Sequence, residues 1–427
     1  MLDIKFIRDN KELIQAGAKK KHIDFDADKL IAVDDKRRLI LAEVEQMRTK
    51  QNEVSDIISS APTEERVRLI STMKELKDEL QKKEEELKEA MKEWQLLMVQ
   101  VPNIPDMSVP DGVSDADNKE IRRWPVLSGV EGGEIPKLSF EPKTHYELMQ
   151  KLNMVDLERG TKVAGFRGYF LKNDGALLSF ALWQFAVDEL VKEGFSPMIA
   201  PSLVRRETLM GTGYLPQGEE DLYKTQDGDY LSGTAEVATM GHFMDDVLLK
   251  TDLPKKIVSF SPCFRREAGS HGKDTKGLIR VHEFYKVEQV VLCEASHEES
   301  VKYHEALNQN AEHIMQKLGI PYHVVANCGG DLGLGQVKKY DIEAWMPSEK
   351  KYRETHSASY FHDFQTRRLN IRYRDDDGKL RFAHSLNATL MPTPRMLAAL
   401  VENYQQADGS IAIPKVLEPY IKKSIIK

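Results

Sequence analysis

The stretch from Ser259 to Glu288 reads "SFSPCFRREAGSHGKDTKGLIRVHEFYKVE", and its pattern predicts a strand, a loop and a returning strand. Period-two alternation places Arg265 and Glu267 on one face of the first strand. One face of the second strand carries Arg280, His282, Phe284, Lys286 and Glu288. Guanidinium groups bind phosphates in a bidentate manner, aromatic rings stack on bases, and carboxylates accept hydrogen bonds from amino groups. The hairpin could therefore hold a nucleotide and a charged small molecule, or it could be a surface hairpin with cross-strand ion pairs.

The composition is that of an ordinary globular protein with an acidic balance. The chain has 427 residues, of which 41% are hydrophobic and 30% charged, so it is long enough for a large core and two domains. Its formal net charge of -7 argues against a generally basic nucleic-acid coat protein. Any anion-binding site must then come from a local cluster such as the hairpin.

The cysteines and the apolar runs indicate a cytoplasmic protein. Cys263, Cys293 and Cys328 are widely spaced and form no CxxC or Cys/His pattern, so neither a disulfide framework nor a zinc site is expected. The most apolar long run, residues 177–187, is too short for a membrane span and contains Gln184. Export and membrane insertion are therefore not expected.

Residues 32–99 predict two long helices with one break. This segment contains no glycine and a single proline, Pro62, and good helix formers dominate it. Glu64 and Glu65 follow that proline in the first turn of the second helix, where the helix dipole favours acidic side chains. Apolar residues at alternating four- and three-residue spacing predict an antiparallel coiled-coil hairpin. They are Val33, Ile40, Val44, Met47, Val54 and Ile58 in the first helix, and Leu69, Met73, Leu76, Leu80, Leu87, Ala90, Trp94 and Leu97 in the second.

The length of this hairpin leaves its purpose open. At about 1.5 Å per residue, a helix of about 35 residues extends on the order of 50 Å, which is more than packing against a globular domain requires. The arm could therefore reach a large partner. A coiled coil that serves for dimerisation or as a rigid spacer would show the same periodicity.

The remainder of the chain predicts an α+β fold. Residues 101–120 are rich in Pro, Asp, Ser and Gly and indicate an interdomain linker, so we expect a helical domain at 1–105 and a second domain at 106–427. Beyond a helix at 177–195, strand-like runs follow one another without a helix between each pair, which favours a largely antiparallel sheet flanked by helices. These runs are "SPMIAPSLV", "KKIVSFSP", "YKVEQVVLC", "PYHVVANC", "KKYDIEAWM" and "LNIRYRDDD".

Glycine motifs for nucleotides are weak or missing. The run "GGDLGLG" at 329–335 contains GxG but lacks a βαβ context, so it predicts a turn between strands. No GxxxxGK[ST] sequence occurs in the chain, which excludes a P-loop. The arginine-rich hairpin is therefore the best candidate for an ATP site.

The stretches "CFRREAG", "TKGLIRVHEF" and "KVE" resemble motif 2 of the class II aminoacyl-tRNA synthetases, in the form of the bacterial-type seryl-tRNA synthetases. The resemblance extends over essentially the whole chain. It implies a class II catalytic domain and an enzyme that joins serine to tRNA through a seryl-adenylate. Further matching stretches are "MLDIKFIRDN", "GTGYLP" and "EEDLY" within 211–223, "GTAE" at 233–236, "GDLG" at 330–333, "YDIEAWMPS", "DFQTRR" and "ENYQQADGSIAIP".

The resemblance implies an ATP site around the hairpin. Arg265 would hold the α-phosphate, Arg280 the γ-phosphate of a bent ATP, and Phe284 would stack on adenine, with Arg395 of motif 3 on the other adenine face. Chemistry would be mostly alignment and charge stabilisation, with Arg265, Glu267 and Arg395 as catalytic residues. The implied ATP-binding set is Arg265, Arg266, Glu267, Arg280, Phe284, Glu354, Thr355, His356, Ser357 and Arg395.

Two of these positions match residues that help to hold Mg²⁺ with the ATP. They are Glu354 and Ser357, and a hard cation prefers such oxygen ligands. The resemblance therefore implies Mg²⁺ as a companion of the ATP.

The implied serine pocket is polar. Its residues would be Thr234, Ala235, Glu236, Glu288 and Thr389. Two carboxylates and a threonine suit an ammonium and a hydroxyl, and a site that pairs a hydroxyl rejects an analogue lacking it by roughly 10⁴ to 10⁵. Alanine and glycine should therefore be refused strongly, and threonine must be refused by shape.

The resemblance also implies macromolecular partners. The hairpin would lie against the long variable arm and elbow of tRNA(Ser), read by shape and phosphate contacts, and tRNA(Sec) would be a second substrate where the organism has one. The stretch around Pro201 resembles motif 1, which implies a homodimer. Candidate tRNA contacts are Lys19, Lys20, Lys21, Arg37, Arg38, Arg48 and Lys50.

Some positions depart from the bacterial pattern. Gly233 replaces a frequent proline, Glu283 a frequent glutamine, and Met391–Pro394 a glycine-rich approach to motif 3. His356 brings an imidazole near the implied metal ligands, and the residues assign no job to Arg266. None of these changes removes a charged group that the reaction needs.

Three other classes remain open. A catalytically silent paralogue would use the arm and sheet to bind RNA, although loss of the motif arginines would then be expected. A coiled-coil scaffold would leave the polar face of the motif 2 hairpin unexplained. An amino-acid ligase for a carrier protein resembles the catalytic domain but normally lacks the long arm.

Overall fold

The computed structural model describes residues 2–125, 135, 138–269, 272 and 274–427. Within them the chain forms two compact units, one that takes in Ile23–Pro102 with the residues up to Lys19, and one made of Lys20–His22 and Asn103–Lys427. No helix in the described part of the chain is both long and apolar enough to cross a bilayer. The three cysteines are buried and free.

The helical unit is built on the predicted hairpin. Its long helices are α3 (Ala27–Ser60) and α4 (Thr63–Met98), and Pro62 is the N-cap of the second. The predicted heptad positions Ile40, Val44, Leu80 and Ala90 form its buried core, with Met47 and Leu87 partly buried against them. The prediction of two helices with one break at this proline is confirmed. Two shorter helices precede them, α1 (Ile4–Asp9) and α2 (Lys11–Lys20).

The second unit is built on a sheet that has eight strands among the described residues, in the order β1-β11-β12-β13-β16-β10-β9-β4. Every neighbouring pair is antiparallel except β4 and β9, which are parallel. The predicted antiparallel α+β fold is therefore confirmed. The strands are β1 (Lys119–Trp124), β4 (Ser196–Ile199), β9 (Lys255–Phe264), β10 (Glu283–Cys293), β11 (Tyr322–Ala326), β12 (Lys338–Met346), β13 (Lys351–Tyr360) and β16 (His384–Thr393).

Helices cover this sheet and bury its core. Leu182 and Phe185 of α7, Leu307 of α10 and Leu400 of α12 belong to one cluster with sheet residues such as Val291. The predicted helix at 177–195 corresponds to α7, which begins four residues earlier, at Asn173, and ends three residues earlier, at Lys192. The helices of this unit are α5 (His145–Lys151), α6 (Leu157–Ala164), α7 (Asn173–Lys192), α8 (Arg206–Thr212), α9 (Ala235–His242), α10 (His297–Lys317), α11 (Phe364–Arg368), α12 (Arg395–Asn403) and α13 (Glu418–Ile421).

Short strands form small sheets beside the large one. They pair as β2 with β3, as β5, β6 and β7, as β8, β14 and β15, and as β17 with β18. Their bounds are β2 (Val155–Asp156), β3 (Phe170–Leu171), β5 (Leu203–Val204), β6 (Tyr223–Lys224), β7 (Tyr230–Leu231), β8 (Val247–Leu249), β14 (Arg372–Arg374), β15 (Leu380–Phe382), β17 (Ile411–Ala412) and β18 (Ile425–Ile426).

The motif 2 hairpin differs from its prediction in where its strands end. Strand β9 ends at Phe264 and β10 begins at Glu283, so Arg265, Glu267, Arg280 and His282 lie in the connection and share no strand face. The predicted alternation is therefore wrong for these four residues. Glu267 has φ +54, which takes the backbone out of the extended region. Positions 270, 271 and 273 of the predicted loop lie outside the described residues.

Three strands of the large sheet were not predicted. Strand β1 begins at Lys119, at the end of the predicted linker, and pairs with β11 at the edge of the sheet. Strands β13 and β16 are rich in polar residues, yet they lie in the middle of the sheet. Their place follows from pairing with neighbours, which local apolar periodicity does not report. The predicted turn at 329–335 is confirmed, because it joins β11 to β12.

Candidate active site

The arginine at the end of β9 is held beside an aromatic ring of β10. The Arg265 backbone N–H donates to the carbonyl of His282 at 2.9 Å, which closes the hairpin just beyond its last strand pair. The Arg265 guanidinium lies 5.2 Å from the centre of the Phe284 ring, and its Nη2 donates to the Gly233 carbonyl at 3.4 Å. A fixed cation thus lies next to the ring predicted to hold adenine.

The second arginine of the motif is held by two carboxylates. Arg280 donates to Glu267 Oε2 at 2.9 Å and to Asp274 Oδ2 at 3.1 Å. Asp274 also accepts from Arg353 at 2.7 Å, which ties the loop to β13. Burial of Asp274 opposes ionisation, but the charges of Arg353 and Arg280 hold its pKa below the ordinary value. An anionic ligand at Arg280 must therefore compete with the carboxylates of Glu267 and Asp274.

Arg266 turns away from this pair and docks the loop. Its backbone N–H donates to the Asp221 carbonyl at 2.9 Å, and its Nη1 donates to the Glu220 carbonyl at 3.2 Å. Nearby, the Ala268 N–H donates to Asp221 Oδ1 at 2.8 Å. The loop thus rests on the turn formed by the "EEDLY" stretch. This contact supplies the job for Arg266 that the residues alone did not assign.

Motif 3 joins the site at the start of α12. Arg395 donates from Nε to the Ile279 carbonyl at 3.1 Å and from Nη1 to the Glu354 carbonyl at 3.0 Å. Its Nη1 also lies 3.5 Å from the half-exposed Glu354 carboxylate. Desolvation opposes ionisation of Glu354, but the charges of Arg395, Lys339, Arg265 and Arg280 lower its pKa. All three predicted arginines are thus near enough to the predicted metal ligand to lower its pKa.

The residues after Glu354 divide between the cleft and the core. Thr355 Oγ1 donates to the Ile342 carbonyl at 3.0 Å and lies 2.8 Å from His356 Nδ1, while His356 Nε2 lies 3.1 Å from the Leu390 carbonyl. Burial lowers the pKa of His356 to about 4, so its ring is neutral at physiological pH. Both ring nitrogens serve the core. Ser357, in contrast, is partly exposed.

The first half of the predicted amino-acid pocket lies at the start of α9. Thr234 is the N-cap of this helix, and its hydroxyl accepts from the Glu236 N–H at 3.3 Å. Ala235 is buried in the first turn. The Glu236 carboxylate is buried and accepts from Tyr214 Oη at 3.0 Å and Gln365 Nε2 at 2.7 Å. Burial raises its pKa to about 7.

The second half lies on β10 and β16. The buried Glu288 carboxylate is 2.5 Å from Lys286 Nζ and accepts from Thr389 Oγ1 at 3.4 Å. Lys286 and Glu288 share a face of β10, as the alternation predicted, and Thr389 is the register partner of Glu288 on β16. The negative charge of Glu288 contributes to the raised pKa of Glu236, so the two buried carboxylates lie near each other.

Several residues of the site were not predicted. Asp274 and Arg353 clamp the motif 2 loop, Lys286 neutralises Glu288, and Tyr214 with Gln365 holds Glu236. The signal for two of them was present, because Tyr214 lies in "GTGYLP" and Gln365 in "DFQTRR". Their shared partner is far away along the chain, and only the fold reveals it.

Some candidate tRNA contacts are engaged within their own unit. Lys21 is buried, and its Nζ donates to the carbonyls of Gly333, Leu334 and Gln336, so this candidate is wrong. Arg37 is paired with Asp34 at 2.7 Å and lies over the Trp94 ring. Arg48 is paired with Glu84 at 2.6 Å and is 60% exposed, so its outer surface can still be reached.

Comparison with known proteins gives matches along the whole chain. The model of the family described as "Seryl-tRNA synthetase N-terminal domain" matches residues 1–105, and that of "tRNA synthetase class II core domain (G, H, P, S and T)" matches residues 223–404. The chain is 44% identical to a serine–tRNA ligase of Deinococcus radiodurans over 99% of this chain and 97% of that protein.

Two solved structures are similar over all of this chain and 99% of their own. The seryl-tRNA synthetase of Pyrococcus horikoshii complexed with ATP is 40% identical, with a TM-score of 0.89. The cytoplasmic serine–tRNA ligase of Naegleria fowleri in complex with AMP is 30% identical, with a TM-score of 0.85.

Proposed function

Because the chain belongs to the seryl-tRNA synthetase family, we propose that its cleft carries out the serine–tRNA ligase reaction with the residues described above. The serine carboxylate attacks the α-phosphorus of ATP and pyrophosphate leaves. The serine of the seryl-adenylate then passes to the terminal adenosine of tRNA(Ser), and AMP is released. One observation carries the proposal: Arg265, Arg280 and Arg395 lie just beyond the ends of β9, β10 and β16. Strands β10 and β16 also carry Glu288 and Thr389, which form the buried pocket with Glu236 of α9.

The arginines are assigned to the ATP. Arg265 holds the α-phosphate and stabilises the charge that develops as the serine carboxylate attacks. Arg280 takes the γ-phosphate, for which it exchanges part of its pairing with Glu267 and Asp274. Phe284 stacks on adenine and Arg395 covers the other face. Arg265 and Arg395 are held in place before ATP arrives, so apart from the partner exchange of Arg280 the site needs little rearrangement.

Mg²⁺ is assigned to the ATP phosphates with few protein ligands. Glu354 is half-exposed and ionised, and Ser357 is partly exposed on the same strand, so both can offer oxygen to a cation. The described residues contain no cluster of three or more ligating side chains suited to a metal ion. Mg²⁺ commonly keeps several waters and binds one or two carboxylates plus substrate phosphates, so these residues fit an ion delivered with ATP. Bound there, it would neutralise phosphate charge.

The two carboxylates of the pocket are assigned to different groups of the substrate serine, the hydroxyl and the ammonium. Glu288 is already paired with Lys286, so it accepts from the neutral serine hydroxyl, together with Thr389. Glu236 has neutral donors, Tyr214 and Gln365, so it receives the ammonium, with Thr234 and Ala235 at the same helix start. Alanine and glycine lack the hydroxyl and would leave the buried Glu288 and Thr389 short of a partner.

The helical unit is assigned to tRNA. We place tRNA binding in residues 1–105 and adenylate chemistry in residues 106–427. Helix α4 has 36 residues and extends about 54 Å, with an exposed polar surface along most of its length. Recognition by shape and backbone suits such a surface. tRNA(Sec) would be charged by the same chemistry where the organism has one.

The protein is assigned as a homodimer. Its location is assigned to the reducing cytoplasm. Phe180 on α7, Ile199 on β4 and Leu203 on β5 are exposed by 60%, 84% and 52%. Apolar side chains so exposed, around the proposed motif 1, mark an interaction surface. Light scattering should give twice the chain mass of 48.7 kDa. A mass of one chain across micromolar concentrations would contradict the dimer.

Serine-dependent ATP–pyrophosphate exchange is the test of the reaction. We expect exchange with serine and charging of tRNA(Ser). Absence of exchange with every amino acid, together with tRNA binding, would point to a silent RNA-binding paralogue. Exchange without any tRNA charging would point to a carrier-protein ligase.

A further inference from the structure

Two stretches that carry the family resemblance support the amino-acid pocket through one of its carboxylates. They are "GTGYLP" at 211–216 and "DFQTRR" at 363–368, and they meet at one buried carboxylate. Tyr214 Oη donates to Glu236 Oε2 at 3.0 Å, and Gln365 Nε2 donates to Glu236 Oε1 at 2.7 Å. Each carboxylate oxygen thus has its own donor, so both the position and the plane of the carboxylate are set.

The orientation of the glutamine amide is itself determined. Ser385 Oγ donates to Gln365 Oε1 at 2.7 Å, and Gln365 Nε2 also donates to the Thr212 carbonyl at 3.1 Å. Reversing the amide would place its oxygen against two acceptors, the Thr212 carbonyl and the Glu236 carboxylate, and both hydrogen bonds would be lost. Its NH₂ group would then face the Ser385 hydroxyl. Gln365 is therefore fixed as a donor to Glu236.

The two carboxylates of the pocket are prepared differently. Glu288 has a lysine at 2.5 Å, whereas the side-chain donors to Glu236 are neutral. Burial, opposed by the hydrogen bonds from Gln365 and Tyr214 and reinforced by the charge of Glu288, raises the pKa of Glu236 to about 7. The titratable and charged groups that act on this carboxylate or on its tyrosine donor are Lys286 and Glu288 on β10, Arg265 after β9 and Tyr214 after α8.

We propose that Tyr214 and Gln365 are positioning residues that keep Glu236 ionised and aimed at the ammonium group of serine. The inference rests on the proposed function, in which Glu236 binds that ammonium. A neutral Glu236 would lose the charge attraction and would present a proton toward the substrate cation. Because both donors favour the ionised form, their removal disfavours it, and serine binding should weaken most at the acidic side of neutrality.

Serine KM measured by ATP–pyrophosphate exchange between pH 5.5 and 8.5 tests this. For the unmodified enzyme, kcat/KM for serine should fall as pH drops through about 7. Tyr214→Phe and Gln365→Leu should raise serine KM about 10- to 100-fold at pH 7, as expected for a lost hydrogen bond to a charged group. They should also move the midpoint of the profile upward by about one pH unit or more. kcat at saturating serine and KM for ATP should change little, and Gln365→Asn should restore part of the loss.

Tyr340→Phe is the matched control, because Tyr340 also donates to a glutamate, Glu305, at 2.9 Å outside the site. The inference is overturned if Tyr214→Phe leaves the serine profile like that of this control. It is also overturned if the variants lower kcat and the melting temperature while serine KM and the midpoint stay unchanged. Tyr214→Phe retains the ring, so it decides the matter if Gln365→Leu does not fold. Absence of exchange in the unmodified enzyme would instead count against the proposed function.

Discussion

At the scale of single residues, the site depends on small differences in backbone direction. Arg265 and Arg266 are neighbours with the same side chain, yet one lies over Phe284 and the other binds the carbonyl of Glu220. The loop backbone separates them, because Glu267 has a positive φ and the loop rests on Asp221. Arg265 is thus placed in the proposed ATP site, whereas Arg266 supports the loop.

The neighbouring arginines give a matched pair of variants. Arg265→Ala should lower serine-dependent exchange by about 100- to 1000-fold, because it removes a fixed cation from the charge that develops at the α-phosphate. Arg266→Ala should lower exchange less than about tenfold, since its guanidinium donates to the backbone carbonyl of Glu220 and supports the loop. Equal losses in initial exchange rates would contradict the division of roles.

A second pair lies on β13. Ser357→Ala should raise the ATP KM and the Mg²⁺ concentration for half-maximal exchange several-fold, because it removes an oxygen offered to the ion. His356→Gln should leave both unchanged and lower the melting temperature by roughly 2 to 4 °C per kcal/mol lost, since this ring makes buried hydrogen bonds. A raised ATP KM in His356→Gln would show that this residue does act on the ATP.

At the scale of elements, the hairpin is stabilised within itself. Its predicted heptad core is buried, and ion pairs Arg48–Glu84 at 2.6 Å and Lys83–Glu43 at 3.0 Å link its two helices. Such exposed pairs contribute little each, so apolar packing holds the hairpin together. These pairs show which residues of the two helices lie opposite each other, and therefore which segments can be deleted together to shorten the hairpin.

Shortening the hairpin should separate the two steps of the reaction. Deleting 36–98, with a short Gly/Ser linker in its place, should leave serine-dependent exchange within about threefold and reduce tRNA charging by orders of magnitude, because phosphate and shape contacts supply the tRNA affinity. Deleting only 52–80 keeps the Arg48–Glu84 register and should give an intermediate loss. If the protein with the larger deletion still charges tRNA, the hairpin is not needed for tRNA recognition and this assignment is wrong.

At the scale of the whole molecule, buried histidines link stability to pH. The His304 ring on α10 is buried, with Nε2 at 2.9 Å from the Ala358 carbonyl, and burial lowers its pKa to about 4. The pKa of His362 is likewise lowered to about 4 by burial. These groups are neutral in the folded protein over a range in which the unfolded chain takes up protons.

The stability of the protein should therefore fall as the pH is lowered. Between pH 6.5 and 4 the unfolded state binds a proton at His304 that the folded state does not, which costs up to about 3 kcal/mol. His304→Asn should remove this part of the pH slope, measured as urea midpoints at pH 7.5, 6 and 5. His313→Asn, at an exposed histidine, is the control. Identical slopes for the His304 variant and the unmodified protein would contradict the linkage. Glu236, whose pKa is raised to about 7, titrates in the opposite sense, so the slopes must be compared between variants.

Local sequence pattern accounts for the parts of the fold that local interactions stabilise. The heptad spacing and Pro62 are sufficient for the hairpin, and alternation is sufficient for β9 and the pairing of Lys286 with Glu288 on one face of β10. Helix and strand periodicities repeat within a few residues, so they can be read without knowing the neighbours. The family resemblance, and not the local pattern, implied the reaction and the role of each matching residue.

Tertiary structure alone decided where the charged groups of the site point. Arg265 and Arg280 left the predicted strands because the loop between them docks on Asp221 and is clamped by Asp274. The polar strand β13 became central because β12 and β16 pair with it. Glu236 received donors 22 and 129 residues away along the chain. Burial and hydrogen-bond partners of this kind depend on which distant segments meet, and no periodicity in the sequence reports that.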